Sequence, residues 1–161
     1  MEKLIFVCLG NICRSPAAEA LFNHMCLQKG LKPTFEVCSR AITSWNIGDP
    51  ANYQMREAAL QRGFEIPGKS ELITEDDFTS ALYILGATEE ICEHLRSSAP
   101  SDSSKERIKL ICAWSESDPE ADIPDPYRLE NRAFEHVLDM LEGALEGLIK
   151  ELQSKNLLIS K

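Results

Sequence analysis

The sequence predicts an α/β domain built on a parallel sheet, and three observations carry that expectation. Short apolar runs alternate along the chain with segments of helical periodicity. The first run is apolar at every position, as in a strand covered on both faces. A chain of 161 residues with 43% hydrophobic and 27% charged composition suits one compact domain, 1–161.

Leu4-Ile5-Phe6-Val7 is the first strand, and it ends at a polar, glycine-containing turn. Ser15 followed by Pro16 makes a helix start with proline at the first helical position. Ala18, Leu21, Phe22 and Met25 then line one face of a helix that Gly30 ends. Phe35 to Cys38 reads as the second strand, and Met55, Ala58, Ala59 and Leu60 as a helix closed by Gly63. Ala81 to Leu85 is the third strand, Glu89 to Leu95 a helix and Ile108 to Cys112 the fourth strand, with Pro100 to Lys105 as a plain surface linker. After a polar, acidic stretch from Ser115 to Pro126, an amphipathic helix runs from about Leu129 to Leu152. Such alternation implies right-handed crossovers, with ligands gathering at the carboxyl ends of strands. The segment Cys8 to Ser15 occupies that place.

Composition narrows the function classes. A formal charge of −9, from 17 basic and 26 acidic residues, argues against nucleic acid, whose affinity for proteins comes largely from neutralised phosphates. The apolar run from Leu4 to Leu9 is far too short to span a membrane, and nothing resembles a signal peptide, so a cytoplasmic location without a membrane partner is expected. Six cysteines without a Cys-x-x-Cys pair suggest reduced thiols and no metal. Cys26, Cys38, Cys92 and Cys112 read as small core hydrophobes, and His24, His94 and His136 as structural.

The run Cys8-Leu9-Gly10-Asn11-Ile12-Cys13-Arg14-Ser15-Pro16 describes an anion cup. Successive backbone N–H groups of a tight loop and the dipole of the following helix concentrate positive potential at one spot. Gly10 and Asn11 are residue types that accept the backbone angles of such a curl. Arg14 supplies a planar fork for two phosphate oxygens. These surroundings favour a thiolate at Cys8, aimed at phosphorus. Cys13, in the same loop, is placed to capture an oxidised Cys8 as a disulfide.

The chain resembles the low-molecular-weight protein tyrosine phosphatases along essentially its whole length. The likeness rests on this loop, on Asp125-Pro126-Tyr127, and on Trp45-Asn46-Ile47-Gly48 and Asp77-Phe78. It implies a four-stranded parallel sheet flanked by helices on both faces, and hydrolysis of phosphotyrosine and small aryl phosphates with no cofactor and no metal. By that resemblance Cys8 is the nucleophile, Arg14 the phosphate clamp and Asp125 the general acid, and phosphate is product and inhibitor. Leu9, Gly10, Asn11, Ile12, Cys13 and Ser15 would bind the phosphate, and Trp45 and Tyr127 would flank the phenyl ring of phosphotyrosine-containing proteins or peptides.

Two departures stand out. A His-x-Ser-Arg stretch common in the family is here Gly68-Lys69-Ser70-Glu71, and a Met-Asp pair is here Gly86-Ala87. In the family the histidine braces the loop asparagine together with a serine like Ser39, so its loss predicts a looser loop. Two relatives on the same scaffold are rivals. Protein arginine phosphatases typically carry threonine where this chain has Ile12, and arsenate reductases need a further cysteine pair, whereas only Cys92 lies in the relevant region here.

Overall fold

The computed structural model describes all 161 residues. In chain order the elements are β1 (Lys3–Cys8), α1 (Arg14–Gln28), β2 (Leu31–Pro33), β3 (Glu36–Ala41), α2 (Tyr53–Gln61), α3 (Glu75–Ser80) and β4 (Ala81–Gly86). There follow α4 (Glu89–Ser98), α5 (Asp102–Glu106), β5 (Ile108–Leu110), α6 (Asn131–Ser154) and β6 (Leu158–Ser160).

Four parallel strands form the main sheet in the order β3-β1-β4-β5. Every residue from Leu4 to Cys8 is buried, because β1 is paired on both edges and covered on both faces. The chain leaves β1 for β3 on one side and later reaches β4 on the other, so the strand order reverses at β1. Right-handed crossovers then assign α1 and α4 to opposite faces. α1 packs on α6, while α4 and α5 pack on β4 and β5. The loop after β1 therefore opens at the point of reversal, where a crevice forms beyond the strand ends.

A cluster of 43 buried apolar residues joins both layers. α6 contributes Phe134, Val137, Leu138, Leu141, Ala144, Leu145, Leu148, Ile149 and Leu152, the stripe that a 3.6-residue period predicts. Gly147 lets α6 approach the turn Ile111–Trp114 so closely that a Cβ would strike the Trp114 carbonyl.

Several expectations change. Pro100 to Lys105 is not a plain linker: Ser101 caps α5 by accepting from the Ser104 N–H at 3.1 Å. The fourth strand ends at Leu110, because Ile111–Trp114 turns into a 3₁₀ helix. α1 starts one residue before Ser15, whose hydroxyl makes no helix cap and is used in the loop instead. The antiparallel pair of β2 and β6 was not read from sequence, since each strand spans only three residues.

Candidate active site

The loop from Cys8 to Cys13 is held from outside by its carbonyls. Cys8 O accepts from the Ile42 N–H at 3.2 Å and Leu9 O from the Thr43 N–H at 3.1 Å. Gly10 O accepts from Ser70 Oγ at 2.8 Å. Ile12 O accepts from the Asn52 N–H at 2.8 Å, and Cys13 O from the Ala17 N–H at 3.2 Å inside the first turn of α1. The N–H groups of Leu9, Gly10, Asn11, Ile12 and Cys13 donate to no protein acceptor. A loop whose acceptors are spent outward and whose donors remain is built to take an anion, and α1 begins directly behind it with no acidic residue in its first turn.

Cys8 Sγ lies at the carboxyl end of β1, 3.0 Å from Ser15 Oγ and 3.4 Å from the Ser15 nitrogen, whose N–H donates to it. Asn11 adopts the left-handed conformation, with φ of 56°. Its amide nitrogen donates to Ser15 Oγ at 2.7 Å and to Ser39 Oγ at 3.0 Å, and its oxygen accepts from the Glu71 N–H at 3.0 Å. Ser39 in turn donates to Glu19 Oε1 at 2.7 Å. The strained asparagine is therefore fully engaged without a histidine. Ser70 and Glu71, from the stretch that departs from the family pattern, do the bracing through a hydroxyl and a backbone N–H.

Arg14 is only 5% exposed. Its Nη1 donates to Ile123 O at 3.0 Å, and its Nη2 lies 3.6 Å from Asp125 Oδ2. Arg14 Nε is buried without any partner, a donor that calls for an acceptor oxygen. The Asp125 side chain is 45% exposed, and its Oδ1 accepts from the Tyr127 N–H at 3.1 Å, so the turn itself orients the carboxylate.

Cys8, Leu9, Gly10, Ile12, Cys13, Arg14, Trp45, Asn46, Asp125 and Tyr127 line one cleft of about 250 Å³. Ten of the eleven residues expected at the site are thereby accounted for in the cleft or hydrogen-bonded to its floor: Ser15 reaches it through Cys8. The eleventh, Asn11, is buried on the far side and lines a separate cavity of about 380 Å³ with Ser39, Glu19 and Arg40. Asn11 and Ser15 thus support the loop rather than face the cleft. Trp45 is 74% exposed at the rim, and Tyr127 is 48% exposed. Asn46 was missed as a lining residue. A Cβ on Gly10 would sit 2.6 Å from Asn46 Nδ2, so Gly10 is needed for that close approach.

The thiols divide by surroundings. Burial pushes the Cys13 thiol up to about 12, with the charges of Cys8 and Asp125 adding and Arg14 opposing. Cys26, Cys38, Cys92 and Cys112 are likewise raised to about 11, by burial first. Burial also raises Glu19, against the Ser39 hydrogen bond and Arg40. No cluster of three or more His, Cys, Asp or Glu is arranged to hold a metal.

Comparison with known proteins agrees with this geometry. Residues 3–157 match the low molecular weight phosphotyrosine protein phosphatase family. The low molecular weight protein-tyrosine-phosphatase YfkJ of Bacillus subtilis is 34% identical over 156 residues, covering 96% of this chain and 98% of that protein. The crystal structure of a protein tyrosine phosphatase from Entamoeba histolytica, with Hepes in its active site, superposes with a TM-score of 0.91 at 32% identity, covering 98% of this chain and 100% of that one. The YwlE arginine phosphatase superposes at 0.83 with 26% identity, covering 94% of this chain and 95% of that one. With residues 3–157 matching the family and the fold superposing along nearly its whole length, the chain belongs to the low molecular weight phosphotyrosine protein phosphatase family.

Proposed function

We propose that this phosphatase hydrolyses phosphotyrosine through a phosphocysteine at Cys8, with Arg14 clamping the phosphoryl group and Asp125 as general acid. The observation that carries the reading is the convergence of Cys8, Arg14 and Asp125 on one cleft whose loop N–H groups are free. In the first step Cys8 Sγ attacks phosphorus, the P–O bond to the phenol breaks, and the Asp125 carboxyl passes its proton to the departing oxygen. In the second, Asp125 takes a proton from water as that water attacks phosphorus. The S–P bond breaks and phosphate leaves. The loop amides and Arg14 meet the charge that develops on the three equatorial oxygens. Ser15 Oγ, 3.0 Å from Sγ, stabilises the departing thiolate.

Tyrosine is favoured over arginine by the walls. Ile12, Trp45 and Tyr127 present apolar and aromatic surface to a flat phenyl ring, and Ile12 offers a guanidinium no hydrogen-bond partner. Hydrolysis of p-nitrophenyl phosphate with and without EDTA, comparing the wild type with Cys8→Ser and Arg14→Ala, tests the reading. Cys8→Ser should abolish turnover, and Arg14→Ala should lower it by roughly 10³-fold or more, with chelation changing nothing. Substantial turnover by Cys8→Ser refutes the covalent route.

A further inference from the structure

The chain carries nine more acidic than basic residues, yet the surface beside the cleft is locally basic. Arg128, Leu129, Glu130, Arg132, Ala133 and His136 line an open groove of about 750 Å³ on the start of α6 and the loop before it. This groove adjoins the cleft through Tyr127: its ring lines the cleft, and the Arg128 guanidinium carbon lies over that ring, 5.4 Å from the centroid.

The two arginines are available. Arg128 makes no ion pair, and the Arg132 side chain is 91% exposed with only Glu130 near it, at 4.0 Å. Neither position favours an arginine by its backbone. Arg128 sits at φ of 66°, where asparagine or glycine would be less strained, and Arg132 places a cation in the first turn of a helix, the end that favours anions. The segment is also held in place: Gln54 Nε2 donates to Leu129 O at 3.3 Å and to Asn131 Oδ1 at 2.9 Å. A fixed cationic groove, on a molecule otherwise acidic and next to a cleft for a phosphorylated side chain, complements negative charge in the chain that bears it.

We propose that this groove is a specificity subsite for carboxylate side chains flanking the phosphotyrosine, with Arg128 and Arg132 as its specificity-determining residues. The inference rests on the phosphotyrosine reading given above. A substrate strand passing over Tyr127 meets Arg128 first and then Arg132 and His136. Glu130, on the same groove, repels carboxylates and limits the gain to a moderate preference. Because the charges are exposed, the preference is sensitive to salt.

The test compares two phosphotyrosine peptides that differ only in having glutamate or glutamine at the three positions on each side, read as the ratio of their kcat/KM values. The wild type should favour the acidic peptide by about 3- to 30-fold at low ionic strength, the range expected for two or three exposed charge pairs, and the ratio should shrink toward unity in about 0.5 M salt, roughly five times the ionic strength at which the screening length is about 10 Å. Arg128→Asn, which suits the left-handed backbone, and Arg132→Gln should each lower the ratio, and Arg132→Glu should bring it to unity or below. A wild-type ratio near unity with both peptides cleaved overturns this proposal alone, as does a ratio unaltered in Arg132→Glu. Failure to cleave either peptide overturns the phosphotyrosine reading, and the subsite with it.

Discussion

Ser15 Oγ lies 3.0 Å from Cys8 Sγ while accepting from the Asn11 amide at 2.7 Å, so the hydroxyl hydrogen is left free to serve the sulfur. Ser15 Oγ also reaches Arg40 O, but at the longer distance of 3.4 Å. Removing this hydroxyl should burden the step in which the thiolate departs. Ser15→Ala is expected to lower kcat by about 10- to 100-fold, the scale of a hydrogen bond to a charged group. Rapid mixing should show an enlarged burst of p-nitrophenol before the slow steady state. An unchanged kcat would remove Ser15 from the second step.

Asp125 is tied to the cleft by its own turn and by Arg14, and its role is read from leaving groups. Asp125→Asn should slow hydrolysis of phenyl phosphates by about 10² to 10⁴. The loss should grow as the leaving phenol becomes a poorer leaving group. A loss equal across a series of substituted phenols would show that another group supplies the proton.

Ile12 lines the cleft between loop and rim. Phosphotyrosine peptides should be cleaved far faster than phosphoarginine peptides, and Ile12→Thr should narrow the gap by adding a hydroxyl and removing apolar surface. A wild-type preference for phosphoarginine at matched concentration would overturn the tyrosine assignment and leave the cysteine chemistry standing.

Cys13 lines the same cleft as Cys8, and burial raises its thiol to about 12, so it stays protonated at neutral pH. Peroxide should convert Cys8 to a sulfenic acid, which Cys13 then displaces as a disulfide with release of water. Wild-type activity should return on adding thiol, whereas Cys13→Ser should lose activity irreversibly at the same dose. Equal recovery of the two would refute the protective role.

Asp77 is 1% exposed and joins three elements. It accepts from Lys3 Nζ at 3.1 Å and Arg40 Nε at 3.0 Å, and closes a capping box with Thr74. Burial alone would raise its carboxyl, but the Thr74 N–H, Lys3 and Arg40 together hold it below the usual carboxylate range. A depressed carboxyl stabilises the fold above its ordinary pKa, near 4, and that stability is lost as pH falls through the depressed value. Asp77→Asn should therefore cost at least about 2 kcal/mol at pH 7 by urea melting, and the gap from wild type should close as the pH is lowered below 4. A gap independent of pH would show that the charge is not what matters.

What could be read in advance was what is local. The loop from Cys8 to Pro16 carries its chemistry in consecutive residues, and the apolar run of β1 and the periodic stripe of α6 announce their burial by spacing alone. What holds Asn11 at positive φ was legible only for Ser39, and there only through the resemblance. The missing histidine suggested a looser loop, but Ser39 from β3 and the Ser70 hydroxyl and Glu71 N–H from the segment before α3 meet the loop only after folding. A backbone N–H has no sequence signature, so Glu71 could not be distinguished as a brace from any other residue.

Asp125 was legible as a candidate only through its place in a familiar pattern, since an aspartate before proline is ordinary turn chemistry. Its approach to Arg14 is decided by the path of the chain after β5, which brings Ile123 O to Arg14 Nη1 across 109 positions of sequence. The same holds for the basic groove, where Arg128 and Arg132 become neighbours of the cleft because Tyr127 stands between them and it. Sequence by itself determined the strand-loop-helix unit and the groups that can hold phosphate, because those depend on short-range backbone geometry. Tertiary structure alone decided which distant donors and acceptors close around that unit, because long-range contacts follow from how the layers pack.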